Sequence, residues 1–180
     1  MSPPRLHTPR LELVPGTVDL AQAEINDLPA FARMLEVPQP PSWPPPLNDE
    51  NSQRHFLASL QKAEPADAGW NLWLCIRRDP RVLVGVVGFK GSPEGGFVEI
   101  GYSILEAHQR NGYATEVVRA LIAWAFQHPA VQIIGGHTLP GLQASRRVME
   151  KCGFVFVGEG PIEDGMQTIR YELSRSQSKP

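Results

Sequence analysis

Six of the nine residues from 38 to 46 are proline, set around Ser42 and Trp43. Each proline fixes its own φ and lacks an amide donor, and its ring pushes the preceding residue out of the helical region. The segment therefore excludes a regular helix and a central strand. The 37 residues before it are too few to bury a core of their own, and helical patterns stand on both sides. It reads as a stiff excursion within one fold, not a linker between two. The chain holds 18 prolines among 180 residues, twice the usual share of about 5 %, and a third of them lie here. The excess is local. An apolar content of 42 % with a net charge of −2 argues against bulk disorder, and the length suits a single domain over residues 1–180.

Seventeen basic residues against 19 acidic ones leave no electrostatic footprint for nucleic acid or an anionic membrane. Residues 83–89 form about the longest apolar run and contain two glycines, far short of a bilayer span. The first residues carry prolines, arginines and a histidine, not the apolar centre of a signal peptide. Cys75 and Cys152 each sit in an apolar pattern and read as buried small hydrophobes, neither a disulfide nor a metal pair. A cytoplasmic setting is expected.

Residues 10–14 alternate as a strand, and residues 21–37 read as helical, broken near Asp27-Leu28-Pro29, where Asp27 can cap and Pro29 can open a first turn. A further helix is expected over residues 49–62, with Phe56, Leu57 and Leu60 on one face. Strands are expected over 71–76 and 82–89, joined by a turn at Arg78-Asp79-Pro80, and over 97–105. The strongest helix is 114–127: Val117, Val118, Leu121, Ile122 and Ala125 keep the 3.6-residue period and Glu116 suits the first turn. A strand over 131–137, a helix over 142–152 closed by Gly153, and strands over 154–158 and 168–173 complete the pattern. The tail from residue 174 is expected to fray. An antiparallel meander followed by alternating elements makes this an α/β chain with a mixed sheet.

Gln109-Arg110-Asn111-Gly112-Tyr113-Ala114 joins a strand to the strongest helix. A glycine there lets the backbone approach a ligand while several amides point one way, and the helix behind adds partial positive charge. The junction suits a pyrophosphate, with Arg110 adding a charged contact; a tight turn opening a helix is the plainer alternative.

Gln109-x-x-Gly112-x-Ala114 resembles the Gln/Arg-x-x-Gly-x-Gly/Ala signature of the GNAT superfamily, the acetyl-CoA-dependent N-acetyltransferases. Val98-Glu99-Ile100-Gly101-Tyr102 resembles that family's fourth strand. The run from Ser145 through Glu150-Lys151-Cys152-Gly153-Phe154 resembles its helix-to-strand segment. Pro9-Arg10-Leu11-Glu12-Leu13 resembles the opening strand of the branch that holds ribosomal-protein N-terminal (serine/alanine) acetyltransferases. The likeness spans roughly residues 8–173. It implies a mixed, mostly antiparallel sheet flanked by helices, and transfer of an acetyl group from acetyl-CoA to a primary amine, either a protein N-terminus or a small molecule. It also implies direct attack in a ternary complex, with no metal, and it is compatible with a homodimer.

The resemblance further implies that the signature loop binds the cofactor, with Gln109 among the contact residues and the backbone of Arg110, Asn111, Gly112, Tyr113, Ala114 and Thr115 meeting the pyrophosphate. The pantetheine arm would lie along Ile104 and Leu105, with an amide of that strand polarising the thioester. Glu99 is the candidate base, a solvent-facing or salt-bridged glutamate being the plainer reading. Ser145 matches a serine that interacts with the sulfur or protonates the departing thiolate. The family's usual tyrosine acid falls at Met149 and a common asparagine at Leu142, departures that keep a non-catalytic CoA-binding regulatory module as the alternative. His137, Trp43 and Trp70 are the candidate acceptor contacts, with the proline segment as a rim presenting Trp43. A nucleotide-binding α/β protein is the remaining rival.

Overall fold

Short polar side chains start the first three helices. In the computed structural model, which describes residues 5–46 and 48–178, Thr17 accepts from the Leu20 amide to open α1 (Val18–Asn26). Asp27 accepts from the Ala30 amide to open α2 (Leu28–Met34), with Pro29 in the first turn. Asp49 does the same for α3 (Glu50–Lys62) through the Ser52 amide. Each cap satisfies an amide that has no partner within the helix. The break expected at Asp27 is therefore real, and residues 38–46 form neither helix nor strand.

Among the described residues eight strands form one sheet: β1 (Leu6–His7), β2 (Leu11–Pro15), β3 (Leu72–Arg78), β4 (Arg81–Phe89), β5 (Phe97–Ile104), β6 (Ile133–Thr138), β7 (Val155–Glu163) and β8 (Met166–Ser174). Their order is β1-β2-β3-β4-β5-β6-β8-β7. Every neighbouring pair is antiparallel except β5 and β6, whose parallel pairing requires the crossover through α4 (Tyr113–Ala125). Helix α5 (Gln143–Lys151) links β6 to β7 and ends at Gly153, which adopts φ +89°. This is the α/β, mixed, mostly antiparallel sheet flanked by helices that the resemblance implies.

Two differences from the sequence reading have local causes. The last two strands run past 158 and start before 168 because Asp164 and Gly165, at φ +48° and +75°, close a two-residue hairpin. Both left-handed residues match the twist of the flanking strands. Arg175, placed by the sequence reading in a frayed tail, is tied down instead. Its guanidinium donates to the carbonyls of Phe126, His128 and Val131 at 2.6, 2.6 and 2.8 Å, beyond the end of α4. Met1 to Pro4, which bear on the signal-peptide reading, and the last two tail residues lie outside the described residues.

The core has two layers. On one sheet face Val117, Val118, Leu121 and Ile122 of α4 meet Leu13, Trp73, Val87 and Ile100. On the other, Phe31 and Leu35 meet Leu74, Ile76 and Val86. That second layer stops at β4. The same face of β5, carrying Glu99, Gly101 and Ser103, lies beyond it.

Candidate functional site

Strands β5 and β6 pair only at Phe97↔Ile133, Val98↔Ile134 and Glu99↔Gly135, while β5 stays paired with β4 as far as Gly85↔Ile104. From Ile100 onward β5 therefore has a free edge. Gly135 and Gly136 belong to this junction: a Cβ at either would lie 2.4 Å from the Phe97 ring or the Met149 side chain. Glu99 offers its carbonyl to Lys90, and Leu105 gives its amide to Val84, so odd-numbered residues turn their backbone toward β4. Alternation turns the even-numbered amides away from β4; that of Ile100 is spent on the Gly135 carbonyl in the last β5–β6 pair, and that of Tyr102 faces the gap. Leu105 has no amide left for the gap, and the Ile104 carbonyl accepts from Gln109 Nε2 at 3.0 Å.

The signature loop shows a division of labour. Gln109 fastens the loop to the end of β5, and the Asn111 side chain donates back to the carbonyls of His108 and Gln109. Arg110 and Gly112 take φ +62° and +78° around Asn111, an alternation that turns successive amides inward. Among the described residues, none of the six amides from 110 to 115 donates to a protein acceptor. No side chain caps α4. The loop is held from outside by Arg10, which bonds the Asn111 carbonyl at 2.9 Å, pairs with Glu116 at 2.7 Å and lies over the Tyr113 ring. Beside it opens a cleft of about 370 Å³ lined by Pro9, Arg10, Arg77, Arg78, Asp79 and Tyr113. The sequence reading missed those arginines, which come together only when β2, the β3–β4 turn and α4 converge.

On the opposite face Glu99 is part of a charged cluster. Its Oε1 lies 2.6 Å from Lys90 Nζ and 2.8 Å from His137 Nδ1, while His137 Nε2 lies 2.8 Å from Glu163 Oε1. Glu99 Oε1 is shut off from water, and the contacts to it are charge contacts, not aligned hydrogen bonds. Burial alone would push the Glu99 carboxyl up, but His137 and Lys90 outweigh it and hold it below the usual range. Contact with Glu99 above all, against the effect of burial, raises His137, and Glu163 adds to the rise. Two residues along β5, a Cβ on Gly101 would meet nothing within 4 Å. Two further on, Ser103 Oγ bonds the Pro46 carbonyl at the end of the proline segment. Glu99 and His137 are thus brought together, across an open stretch of β5 from the proline rim.

Ser145 is bonded to Tyr102, whose hydroxyl lies 3.0 Å from its carbonyl and 3.1 Å from its Oγ, bridging the free edge of β5 and α5. Burial pushes the Tyr102 phenol up to about 12. Tyr102 is a second omission of the sequence reading, although it stood in the quoted strand motif. Met149 is buried against Gly136, and Leu142 is exposed.

Trp70, expected as an acceptor contact, is core, and Trp43 is half-buried against the fold. Trp70 is 4 % exposed and packed against Trp124, Phe89 and His128 at centroid distances of 4.6–5.0 Å. Trp43 packs on Phe31 at 5.6 Å and donates its indole N–H to Glu24 at 2.9 Å. The same carboxylate oxygen accepts from Gln53 at 3.0 Å and Asn48 at 3.4 Å, so Trp43 turns inward and straps the proline segment to α1. Cys75 and Cys152 are free thiols, and burial pushes Cys152 up to about 11 and Cys75 higher. Neither is poised as a nucleophile.

Residues 18–155 match the family model of the acetyltransferase (GNAT) domain. The curated N-acetyltransferase YjdG of Bacillus subtilis (strain 168), itself uncharacterized, is 34 % identical over 88 residues, which is 48 % of this chain and 52 % of that protein. The chain spans about half the length of the curated relatives it matches. Among solved structures, the ribosomal-protein-S5-alanine acetyltransferase from Vibrio fischeri superposes with a TM-score of 0.71 at 16 % identity, covering 99 % of this chain and 100 % of that one. The ribosomal L7/L12 alpha-N-protein acetyltransferase RimL in complex with coenzyme A gives 0.68 at 16 %, covering 95 % and 98 %. At these identities the structural likeness is one of fold.

Proposed function

The chain belongs to the GNAT acetyltransferase family, and on that premise we propose that it transfers the acetyl group of acetyl-CoA directly to a primary amine. The observation that carries this reading is the row of six unpaired amides at 110–115 beside the free edge of β5. Such a row binds a pyrophosphate through the backbone, with the partial charge of α4 behind it. The guanidinium groups of Arg10, Arg77 and Arg78 strengthen the field on the polyanionic end of the cosubstrate. The amide of Tyr102 is suited to polarise the thioester carbonyl and hold the oxyanion.

Catalysis is then mostly positioning of amine and thioester in one cleft. Glu99 takes the proton of the attacking amine over Gly101, and the hydroxyls of Ser145 and Tyr102 supply donors to the leaving sulfur. The elevated thiols of Cys75 and Cys152 favour direct transfer over an acyl-cysteine intermediate. By their names, the ribosomal-protein acetyltransferases sharing the fold act on protein substrates. A protein N-terminus or a small-molecule amine is the acceptor class we assign.

The test is an acetyl-CoA-dependent screen over amines and N-terminal peptides read by mass spectrometry, paired with thermal shifts. CoA should raise the melting temperature and ATP or NAD should not. Equal shifts with all three would count against the reading. CoA binding with no acetylated product would favour the regulatory-module alternative.

A further inference from the structure

Glu99 alone makes a poor terminus for the acceptor's proton. Its side chain is 24 % exposed, its Oε1 is cut off from water, and Lys90 and His137 hold it ionised. A base that receives one proton per turnover must also lose it. The structure contains a route. His137 is 6 % exposed in its side chain and stands between Glu99 and Glu163, with one ring nitrogen 2.8 Å from each carboxylate, while Glu163 is 51 % exposed. We propose that His137 and Glu163 extend Glu99 into a proton-transfer chain that carries the acceptor's proton from the cleft to the surface. The proposal rests on the acetyltransferase reading.

The steps balance atom by atom. As the amine adds to the thioester carbonyl, its N–H bond breaks and an O–H bond forms on Glu99. That O–H bond breaks as Nδ1–H forms on His137, the Nε2–H bond of His137 breaks as O–H forms on Glu163, and water takes the proton there. Catalytic contacts commonly align only once the reactants are bound, and N···O separations of 2.8 Å leave only an angular adjustment. The first transfer runs from a carboxyl to an imidazole, the stronger base of the two in their ordinary ranges, which favours it. The second ends on a carboxylate that His137 and Lys90 hold low against burial, so it is completed by release to water at the exposed Glu163. His137 must be neutral at Nδ1 to receive, so its own ionisation governs the acidic limb of the rate profile.

The charged groups around the ring are few. Glu99 faces it from β5, Glu163 from β7, and Lys90, just beyond β4, lies 3.4 Å from Nε2. Arg170, opposite it in the β6–β8 register, is committed to Glu172 at 2.5 Å and lies over the Phe97 ring. Glu163 raises His137, and Lys90 opposes the rise.

The experiment compares wild type, His137→Gln and Glu163→Gln on one acceptor, so that the amine's own ionisation cancels. His137→Gln keeps a donor and an acceptor but cannot relay. It should lower kcat by about 10²-fold, the scale of lost proton transfer, with the KM for acetyl-CoA within two-fold. Glu163→Gln removes a group that raises His137, so the acidic limb should move to lower pH. An NMR titration of the His137 ring in the resting protein should move the same way, independently of turnover. An active wild type with His137→Gln unchanged in kcat, or with a limb indifferent to Glu163→Gln, overturns the relay alone. A wild type that acetylates no amine overturns the enzymatic reading, and the relay with it.

Discussion

Replacing Gly112 by alanine separates the fold's demand on this residue from the ligand's. At φ +78° an L-residue incurs about 1–2 kcal/mol of conformational strain. A Cβ there would meet only Arg10 Nη2, at an ordinary 3.5 Å, so no clash adds to it. In a chain of this length each kcal/mol moves the melting midpoint by about 2–4 °C, giving a fall of about 2–8 °C in a protein that stays folded. Binding should suffer more. If the Cβ denies a pyrophosphate two of the six amides, the loss is two charge-assisted hydrogen bonds at about 1.5–3 kcal/mol each. That amounts to about 10²–10⁴-fold in CoA affinity, measurable by isothermal titration beside a calorimetric melt. Gly112→Asn provides the control, because asparagine tolerates the left-handed region. It should melt close to wild type yet bind as poorly as the alanine variant. A CoA affinity within three-fold of wild type in both variants would refute backbone cradling. An asparagine variant that binds normally would make loop conformation, not close approach, the reason for the glycine.

Three further predictions concern the surroundings. Substituting Arg77 and Arg78 together by alanine should raise the KM for acetyl-CoA several-fold and flatten its dependence on ionic strength, since exposed charges act through a screened field; initial rates at two salt concentrations check it. Glu24 is raised because burial outweighs the hydrogen bonds from Trp43, Gln53 and Asn48. As pH rises past the ordinary carboxyl range, the unfolded chain ionises first and stability falls. Glu24→Gln should therefore melt higher than wild type at pH 8, by about 2–4 °C on the scale of 1 kcal/mol, and the gap should close toward pH 4; a gap constant with pH would contradict the assignment. Trp43→Phe keeps an aromatic ring on Phe31 but removes a donor to a buried carboxylate, a loss of about 1–3 kcal/mol. It should lower the melting midpoint at pH 8 while leaving the KM for acetyl-CoA unchanged.

What could be read from the sequence was what is decided locally. Asp27 with Pro29, and Gly153 at the end of α5, mark boundaries because a cap or a left-handed residue acts over three or four positions. The Asp164-Gly165 hairpin carried an equally local signal that went unread. The signature loop was legible as a motif, but the roles within it were not. Gln109 and Asn111 spend their side chains shaping the loop, and the amides are left free. Tryptophan is ambiguous for another reason: pocket walls and cores want the same large apolar ring. Trp70 is settled as core by Phe89 and by Trp124 and His128, the last two more than fifty residues later.

The charged cluster marks the limit of such reading. Glu99, His137 and Glu163 are separated by 38 and 26 residues, and no periodicity relates them. Glu99 and His137 are neighbours because β6 pairs in parallel with β5 for three residues and then diverges. The divergence that opens the gap on one side thus sets a histidine beside the candidate base on the other. A motif search meets Glu99 as a lone glutamate on a half-buried strand, for which base and salt bridge are competing descriptions. In the folded chain they describe one arrangement: the contacts that hold Glu99 ionised include a histidine that, when neutral at Nδ1, is placed to take its proton away.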